Sequence, residues 1–157
     1  MYGADETEYK HMRITIKRSD VDEMIRHALS ERPDEACGLI AGRDPKDGTR
    51  VIEKVYLLTN TDHTNEHFSI DPKEQLKAVK DMRANGMVPL GNWHSHPETP
   101  SRPSEEDIRL ANDSRASYLI LSLENEDAPV LNAFCIEKKE DGKSVRKEEL
   151  IVLETNY

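Results

Sequence analysis

Hydrophobic residues recur every three or four positions in three parts of the chain. The first such part follows Ser19, which stands three residues before Asp22 in a capping-box arrangement. The second follows Asp71, the expected cap, and Pro72, a residue favoured at the first helical position. The predicted helices cover about 20–30, 72–84 and a segment that begins at 104.

Alternating apolar and polar residues, and short apolar runs, predict strands between these helices. Met12, Ile14 and Ile16 alternate with polar residues, as in a half-buried strand. Asp47-Gly48 marks a turn that would join two later strands into a hairpin. The predicted strands cover 12–16, 34–42, 51–58, 87–96, 118–123, 130–136 and about 150–153, with a brief strand at 67–70.

These elements predict one α/β (α+β) domain over 12–157. Its mixed β-sheet should contain about six to eight strands, flanked by about three helices. Residues 1–11 are polar and lack periodicity, so we interpret them as a flexible leader or an expression remnant.

Composition excludes some function classes. The chain has 157 residues, with 22 Lys and Arg against 31 Asp and Glu, and a formal net charge of -9. We therefore expect no nucleic-acid partner, since that would need a basic surface. We also expect no membrane span and, with two cysteines, a reduced cytoplasmic protein. The acidic surplus suits either solubility or a basic protein partner, and the oligomeric state stays open.

Two histidines lie one residue apart at the end of a predicted strand. Because residues i and i+2 of a strand point to the same face, His94 and His96 can reach one point. A Pro-rich connection then leads to Asp107, near the start of the third predicted helix, so the chain can fold back and supply a carboxylate. Two His and one Asp suit a catalytic Zn²⁺ whose fourth position is left to water.

Each half of this pattern also has a simpler interpretation. A His-x-His can lie on the solvent face of a strand, and Ser104 with Asp107 can be a capping box without any metal. Pro97 directly after the second histidine, together with an upstream Glu35, favours the metal site over both.

The complete set resembles the motif of the JAMM (MPN+) zinc metallopeptidases, which is Glu, a long gap, His-Ser/Thr-His-Pro and Ser-x-x-Asp. The resemblance covers about 12–134 and includes the order of the predicted elements. It implies a JAMM/MPN, cytidine-deaminase-like fold and a zinc-dependent hydrolase. Residue by residue, it implies that His94, His96 and Asp107 bind Zn²⁺, that Glu35 is the general acid/base, and that Ser104 stabilises the tetrahedral intermediate.

The resemblance also implies a class of substrate. Members of this family cleave after the C-terminal Gly-Gly of ubiquitin-like proteins, in a narrow cleft that we expect 60–70 and 98–102 to flank. The segment 35–42, and the lack of a long insertion, resemble the short bacterial branch that releases cysteine from a sulfur carrier in cysteine biosynthesis. A ubiquitin-like sulfur-carrier or conjugated protein is therefore the expected partner. The sequence does not decide whether the leaving group is cysteine, a lysine side chain or a peptide amine. It also identifies no substrate-binding residue.

Three other functions fit the sequence less well. A non-catalytic MPN binding module would lack ligand residues, and none is missing here. A RadC-like DNA-repair-associated protein would carry His-Asn-His-Pro, where this chain has Ser95 in place of Asn. A zinc deaminase would need both His-x-Glu and Pro-Cys-x-x-Cys; His96-Pro97-Glu98 fits the first, but the chain lacks the second.

Four further residues have alternative interpretations. His63 and His67 could form a second metal pair if their segment were helical, but a polar loop is favoured. Cys37, two residues from Glu35, could sense oxidation, but a small buried core residue is favoured. Trp93 should point away from the histidine face, into the core.

Overall fold

The computed structural model describes residues 11–154. The predicted leader therefore lies outside the described residues except for His11, which is buried. Seven strands and three helices are formed within the described part of the chain. They are β1 (Arg13–Lys17), α1 (Arg18–Glu31), β2 (Cys37–Arg43), β3 (Thr49–Leu58), α2 (Pro72–Ala84), β4 (Val88–His96), α3 (Glu105–Leu110), β5 (Ser117–Ser122), β6 (Val130–Lys139) and β7 (Gly142–Leu153).

The strands form a mixed sheet that closes on itself in the order β1-β3-β2-β4-β5-β6-β7. β1 closes it by pairing in parallel with both β3 and β7. β4 lies in the middle, antiparallel to β2 and parallel to β5. The predicted α+β class with a six- to eight-stranded mixed sheet is confirmed, and β4 carries the histidine motif at its carboxyl end.

The main hydrophobic core fills the interior of this sheet and the face covered by α1. Trp93 is fully buried there, and its Nε1 donates a 3.0 Å hydrogen bond to the Tyr56 carbonyl oxygen. It lies on the face of β4 opposite His94, as predicted. Gly91, on the same strand, has φ of +150° and lies so close to Ser117 that a Cβ would stand 1.9 Å from the Ser117 carbonyl oxygen. The close pairing of β4 with β5 therefore requires glycine at this position.

Two predicted helix caps are confirmed and one is wrong. The Asp71 side chain accepts a hydrogen bond from the Lys73 amide, and Ser104 forms a capping box with Asp107. The predicted Ser19 cap is wrong, because α1 begins at Arg18 with Lys17 as its N-cap and no side-chain cap bond. β1 runs directly into α1, which leaves no turn in which Ser19 could serve as a cap.

Two strand predictions are also corrected. The segment 67–70 forms only an isolated bridge between Asn60 and Ile70 rather than a strand. The last strand is much longer than predicted, because β6 and β7 continue as a hairpin beyond the body of the sheet. Within residues 11–154, none of the helices combines the length and apolar composition needed to cross a membrane.

Candidate metal-binding active site

The two motif histidines point into one buried space at the end of β4. Both side chains are almost fully buried, and their Nε2 atoms lie 3.1 Å apart. The strand periodicity explains their common direction, since Ser95 between them points to the opposite side. The structure therefore brings His94 and His96 together as predicted.

Asp107 completes a three-atom cluster with these rings. Its Oδ2 lies 3.1 Å from the Nε2 atoms of both His94 and His96. The same oxygen accepts a 2.9 Å hydrogen bond from the Ser104 amide, and the Ser104 hydroxyl oxygen accepts one of 3.0 Å from the Asp107 amide. The two interpretations of Asp107, helix cap and metal ligand, are thus geometrically compatible.

Protonation chemistry indicates what the cluster can hold. His96 Nδ1 lies 2.9 Å from the Pro100 carbonyl oxygen, which can only accept, so this nitrogen carries a proton. In the neutral ring the His96 Nε2 is then a bare lone pair, facing a carboxylate oxygen and the second imidazole nitrogen. With His94 in the tautomer that leaves its Nε2 unprotonated, three lone pairs converge and are stabilised by a cation. A carbonyl that fixes the tautomer, as Pro100 does for His96, is common around metal-bound histidine. The donor set therefore fits a metal ion.

The Asp107 carboxyl is suited to staying ionised. Burial raises its pKa, but in the metal-free site hydrogen bonds from His94 and His96, which need a proton on each Nε2, outweigh burial and hold the pKa well below its usual range. An anionic oxygen is what a cation ligand requires.

Glu35 approaches the same point from another element. It lies just before β2, is 2% exposed, and offers a carboxylate oxygen within 4.8 Å of ring nitrogens of both His94 and His96. Among residues 11–154, no group forms a hydrogen bond with its Oε1. Burial, followed by the charge of Asp107, raises the pKa of Glu35 to about 9. A buried carboxyl with an unsatisfied oxygen is a group poised to exchange a proton.

Two cavities flank the cluster. The first, the wide cavity, is polar, has a volume of about 620 Å³ and is lined by Glu35, His96 and Ser104, with Glu66 and Thr99 at its sides. The second, the narrow cavity, has a volume of about 150 Å³, lies against His94 and Asp107 and is walled by Phe68, Leu110 and Tyr118. A larger cavity of about 940 Å³ contains none of the five motif residues.

The expected flanks of the cleft can be compared with these cavities. The loop 60–70 supplies Glu66 to the wide cavity and Phe68 to the narrow one. From 98–102, Thr99 lines the wide cavity. Both segments therefore border the site, and the loop 60–70 borders both of its sides.

The other candidate residues have simpler roles. His63 faces Asp34 at 3.9 Å and His67 faces Asp62 at 2.9 Å, so they contact different carboxylates and do not form a pair. Cys37 is fully buried, and burial raises the pKa of its thiol to about 12, which favours the core interpretation over redox sensing.

Sequence reasoning missed three residues around the site. Phe68 stacks on the His94 ring with a centroid distance of 5.0 Å. Ser95 accepts a 2.8 Å hydrogen bond from the Ala36 amide, and Asn60 donates one of 3.0 Å to the Glu35 carbonyl oxygen. No local pattern marks these contacts, because each joins segments more than twenty residues apart.

A second buried group of metal-ligating types consists of His11, Cys135 and Glu148. His11 Nδ1 lies 2.8 Å from Glu148 Oε2 and 3.4 Å from Cys135 Sγ. The Ser117 hydroxyl donates a 2.7 Å bond to the other Glu148 oxygen. Since these groups already satisfy one another, we interpret the cluster as a structural tie between His11 and the strands β6 and β7.

Comparison with known proteins defines the class to which this fold and site belong. The chain belongs to the family described as prokaryotic homologues of the JAB domain, whose profile matches residues 17–135. The match spans the sheet from the start of α1 to β6 and includes all five motif residues. The predicted JAMM/MPN membership is confirmed.

Characterised relatives have names that point to one kind of activity. A "CysO-cysteine peptidase" of Mycobacterium tuberculosis is 34% identical, over 69% of this chain and 73% of the relative. A "Probable TtuB-protein conjugate cleaving protease" of Thermus thermophilus is 35% identical, over 71% of this chain and 72% of the relative. These relatives are named as peptidases that act on protein conjugates, which supports hydrolase activity for the family.

Solved structures agree with the fold. A solution structure of a Desulfitobacterium hafniense protein matches with a TM-score of 0.80 and 53% identity, over 90% of this chain and 94% of that chain. A JAB1/MPN domain protein from Archaeoglobus fulgidus matches with a TM-score of 0.52 and 23% identity, over 90% of this chain and 97% of that chain, which supports the fold alone.

Proposed function

We propose that this protein is a zinc-dependent peptidase that cleaves after the C-terminal Gly-Gly of a ubiquitin-like sulfur-carrier or conjugated protein. The observation that carries the proposal is the convergence of His94, His96 and Asp107 at 3.1 Å, with the unpartnered Glu35 Oε1 beside them. The names of the relatives support the substrate class.

His94, His96 and Asp107 would hold the metal. When bound there, zinc supplies a Lewis acid that polarises a carbonyl and acidifies water. The positive charge also favours the ionised form of Glu35 and thus opposes the burial that raises its pKa. Glu35 is then ready to accept a proton at its Oε1 atom.

Glu35 acts as the proton carrier in this proposal. Its Oε1 takes a proton from the attacking water and gives it to the leaving amine, so that the nitrogen departs neutral. A residue that ligated the metal through both oxygens could not do this, whereas the Glu35 Oε1 atom has no hydrogen-bond partner in the described part of the chain. The proton transfer therefore fits Glu35 rather than Asp107, whose Oδ2 is already bound by Ser104 and the histidines.

Ser104 is suited to donating a hydrogen bond to the oxyanion of the tetrahedral intermediate. Its hydroxyl oxygen accepts from the Asp107 amide, which leaves the hydroxyl proton to point into the wide cavity that Ser104 lines. A preorganised donor of this kind contributes about 3 kcal/mol in comparable sites.

The two cavities suit the two sides of the scissile bond. Glu35 protonates the leaving nitrogen and lines the wide polar cavity, so the leaving group belongs there. The narrow cavity, about 150 Å³, is the smaller of the two and is walled by Phe68 and Leu110. We assign the Gly-Gly tail to it, because a tail without side chains needs less space than one with bulky residues.

A paired-substrate assay tests the proposal. Purified protein is incubated with a ubiquitin-like sulfur carrier whose Gly-Gly terminus is joined either to cysteine or to the side chain of a lysine peptide. Mass spectrometry should find carrier that ends at the second glycine, and a chelator should stop its release. Cleavage at other positions, intact substrates in both cases, or full activity in chelator would contradict the proposal. The relative rates identify the leaving group and bear on the expected role in cysteine biosynthesis.

A further inference from the structure

Asn60 is a buried polar residue that the proposed chemistry does not use. It is 3% exposed and lies at the start of the loop 60–70, next to Glu35. Its amide nitrogen donates to the Glu35 carbonyl oxygen at 3.0 Å and to the His67 carbonyl oxygen at 3.1 Å. Its amide oxygen accepts from the Asp62 amide at 3.0 Å and the Ser69 amide at 3.1 Å.

These four bonds use the full hydrogen-bonding capacity of a carboxamide. The nitrogen has two protons and the oxygen two lone pairs, and every one has a partner. A flipped amide would set its oxygen against two carbonyls and its protons against two N–H groups, so the contacts fix the orientation. Aspartate would lose both donated bonds, and glutamine would displace the amide by one methylene. Among the ordinary side chains, asparagine alone fits all four contacts.

One end of this network holds the backbone of Glu35. Asn60 binds the Glu35 carbonyl oxygen, and the Glu35 amide donates a 2.8 Å bond to the Thr64 carbonyl oxygen in the same loop. Both polar groups of the Glu35 backbone are therefore bound by the loop 60–70. The position of the carboxylate depends on the order of that loop.

The other end of the network holds the ring that covers His94. Asn60 binds the residues on either side of Phe68, namely the His67 carbonyl oxygen and the Ser69 amide. Asp62 binds the same two residues through their side chains, at 2.9 Å and 2.7 Å. Phe68 is thereby fixed in its stack on His94, where it also walls the narrow cavity.

We propose that Asn60 is a positioning residue that links Glu35 to the loop 60–70. One side chain then orders both the proton carrier, Glu35, and the tail-binding wall, Phe68. The inference rests on the proposed function for its effect on turnover. Its structural part, the link between the loop and the Glu35 backbone, can be measured without any substrate.

The test compares two isosteric changes, Asn60→Asp and Asn85→Asp. Asn85, at the end of α2, donates to the Asp81 carbonyl oxygen at 2.8 Å and to Asp81 Oδ1 at 3.2 Å, so its change also removes two donated bonds. Zinc content, kcat, KM and the hydrogen-exchange rates of single amides are measured for both variants. Asn60→Ala, which introduces no charge, replaces Asn60→Asp if the latter does not fold.

The Asn60 variant should keep its zinc and lose kcat by about tenfold or more, as expected for a misplaced catalytic group. Its KM should rise as well, because Phe68 of the tail-binding wall is no longer held by Asn60. The Glu35 and Thr61 amides, which donate to the Thr64 and Ser69 carbonyl oxygens, should exchange about tenfold faster. The Asn85 variant should show neither change. Equal kcat and equal exchange rates in the two variants would overturn the inference.

The two proposals fail in different ways. If the wild-type protein cleaves no carrier, the proposed function fails, and the exchange rates of Glu35 and Thr61 decide whether Asn60 links the two segments. If the wild type is active and Asn60→Asp leaves the Glu35 amide as protected as before, the link is refuted while the function stands.

Discussion

The Ser95 hydroxyl oxygen accepts a 2.8 Å hydrogen bond from the backbone amide of Ala36, and the Ser95 amide donates one of 2.9 Å to the Ala36 carbonyl oxygen. Ser95 lies between the two histidines, and Ala36 follows Glu35. The reciprocal pair therefore joins the strand that carries the two imidazoles to the segment that carries the carboxyl. The middle residue of His-Ser-His has a structural task that its neighbours cannot perform, since their side chains point to the opposite face.

Ser95→Ala should destabilise the protein and slow turnover. It removes the acceptor of the buried Ala36 amide, and leaving such a donor unsatisfied costs about 1–3 kcal/mol of unfolding free energy. Urea denaturation measures the loss. Ser114→Ala is the matched control, because the Ser114 hydroxyl accepts a 3.3 Å bond from the Lys138 amide at an exposed position. Its change should cost little, and an equal loss in both variants would refute the special role of Ser95.

His96→Ala and Asp107→Ala should each abolish zinc binding, because each removes one of three converging ligand atoms. Elemental analysis of purified protein should find about one zinc per chain in the wild type and almost none in these variants. Cys135→Ser and His67→Ala should keep the wild-type zinc content. About two zinc ions per wild-type chain, one of them lost in Cys135→Ser, would instead make the second buried group a metal site.

The stability of the metal-free protein should fall as pH rises from 5 to 8. The folded pKa of Glu35, about 9, is above its ordinary value of 4.5, so in this window the folded state keeps a proton that the unfolded state releases. Unfolding free energy should therefore fall by up to about 1.4 kcal/mol per pH unit. Asp107 contributes no slope here, since its lowered pKa matters only below its ordinary 3.8.

Glu35→Gln isolates this effect. Denaturation of the chelated wild type and the chelated variant at pH 5 and pH 8 gives the difference in slope. The variant should show a much flatter dependence on pH, because glutamine does not titrate. Parallel slopes in the two proteins would show that the Glu35 carboxyl is not perturbed.

Phe68→Ala and Leu110→Ala should weaken substrate binding rather than chemistry. Both residues wall the narrow cavity, so their loss should raise KM for a Gly-Gly carrier more than it lowers kcat. Val145→Ala, an exposed residue of β7 outside the three cavities described above, is the control and should leave KM unchanged. A carrier with Ala in place of its last Gly should be cleaved faster by Phe68→Ala than by the wild type. If Phe68→Ala still does not cleave this carrier, the tail binds elsewhere.

The sequence allowed the motif and most elements to be predicted, and physical reasons explain what escaped it. His94 and His96 share a face because strand periodicity is local, and Asp107 follows a recognisable helix start. Closure of the sheet depends on pairing between Arg13 and Glu149, which no local pattern specifies. The bonds of Asn60 likewise depend on where a loop settles against Glu35. The cap of α1 was misassigned because a strand leads directly into that helix.

In the proposed mechanism Glu35 moves the proton at a zinc held by other residues, and a single preparation of Glu35→Gln separates these two roles. Zinc content and carrier cleavage are measured on the same sample. We expect about one zinc per chain, as in the wild type, with turnover reduced by roughly 10² to 10⁴-fold. Undiminished turnover would remove Glu35 from the mechanism, and loss of the zinc would make it a ligand instead.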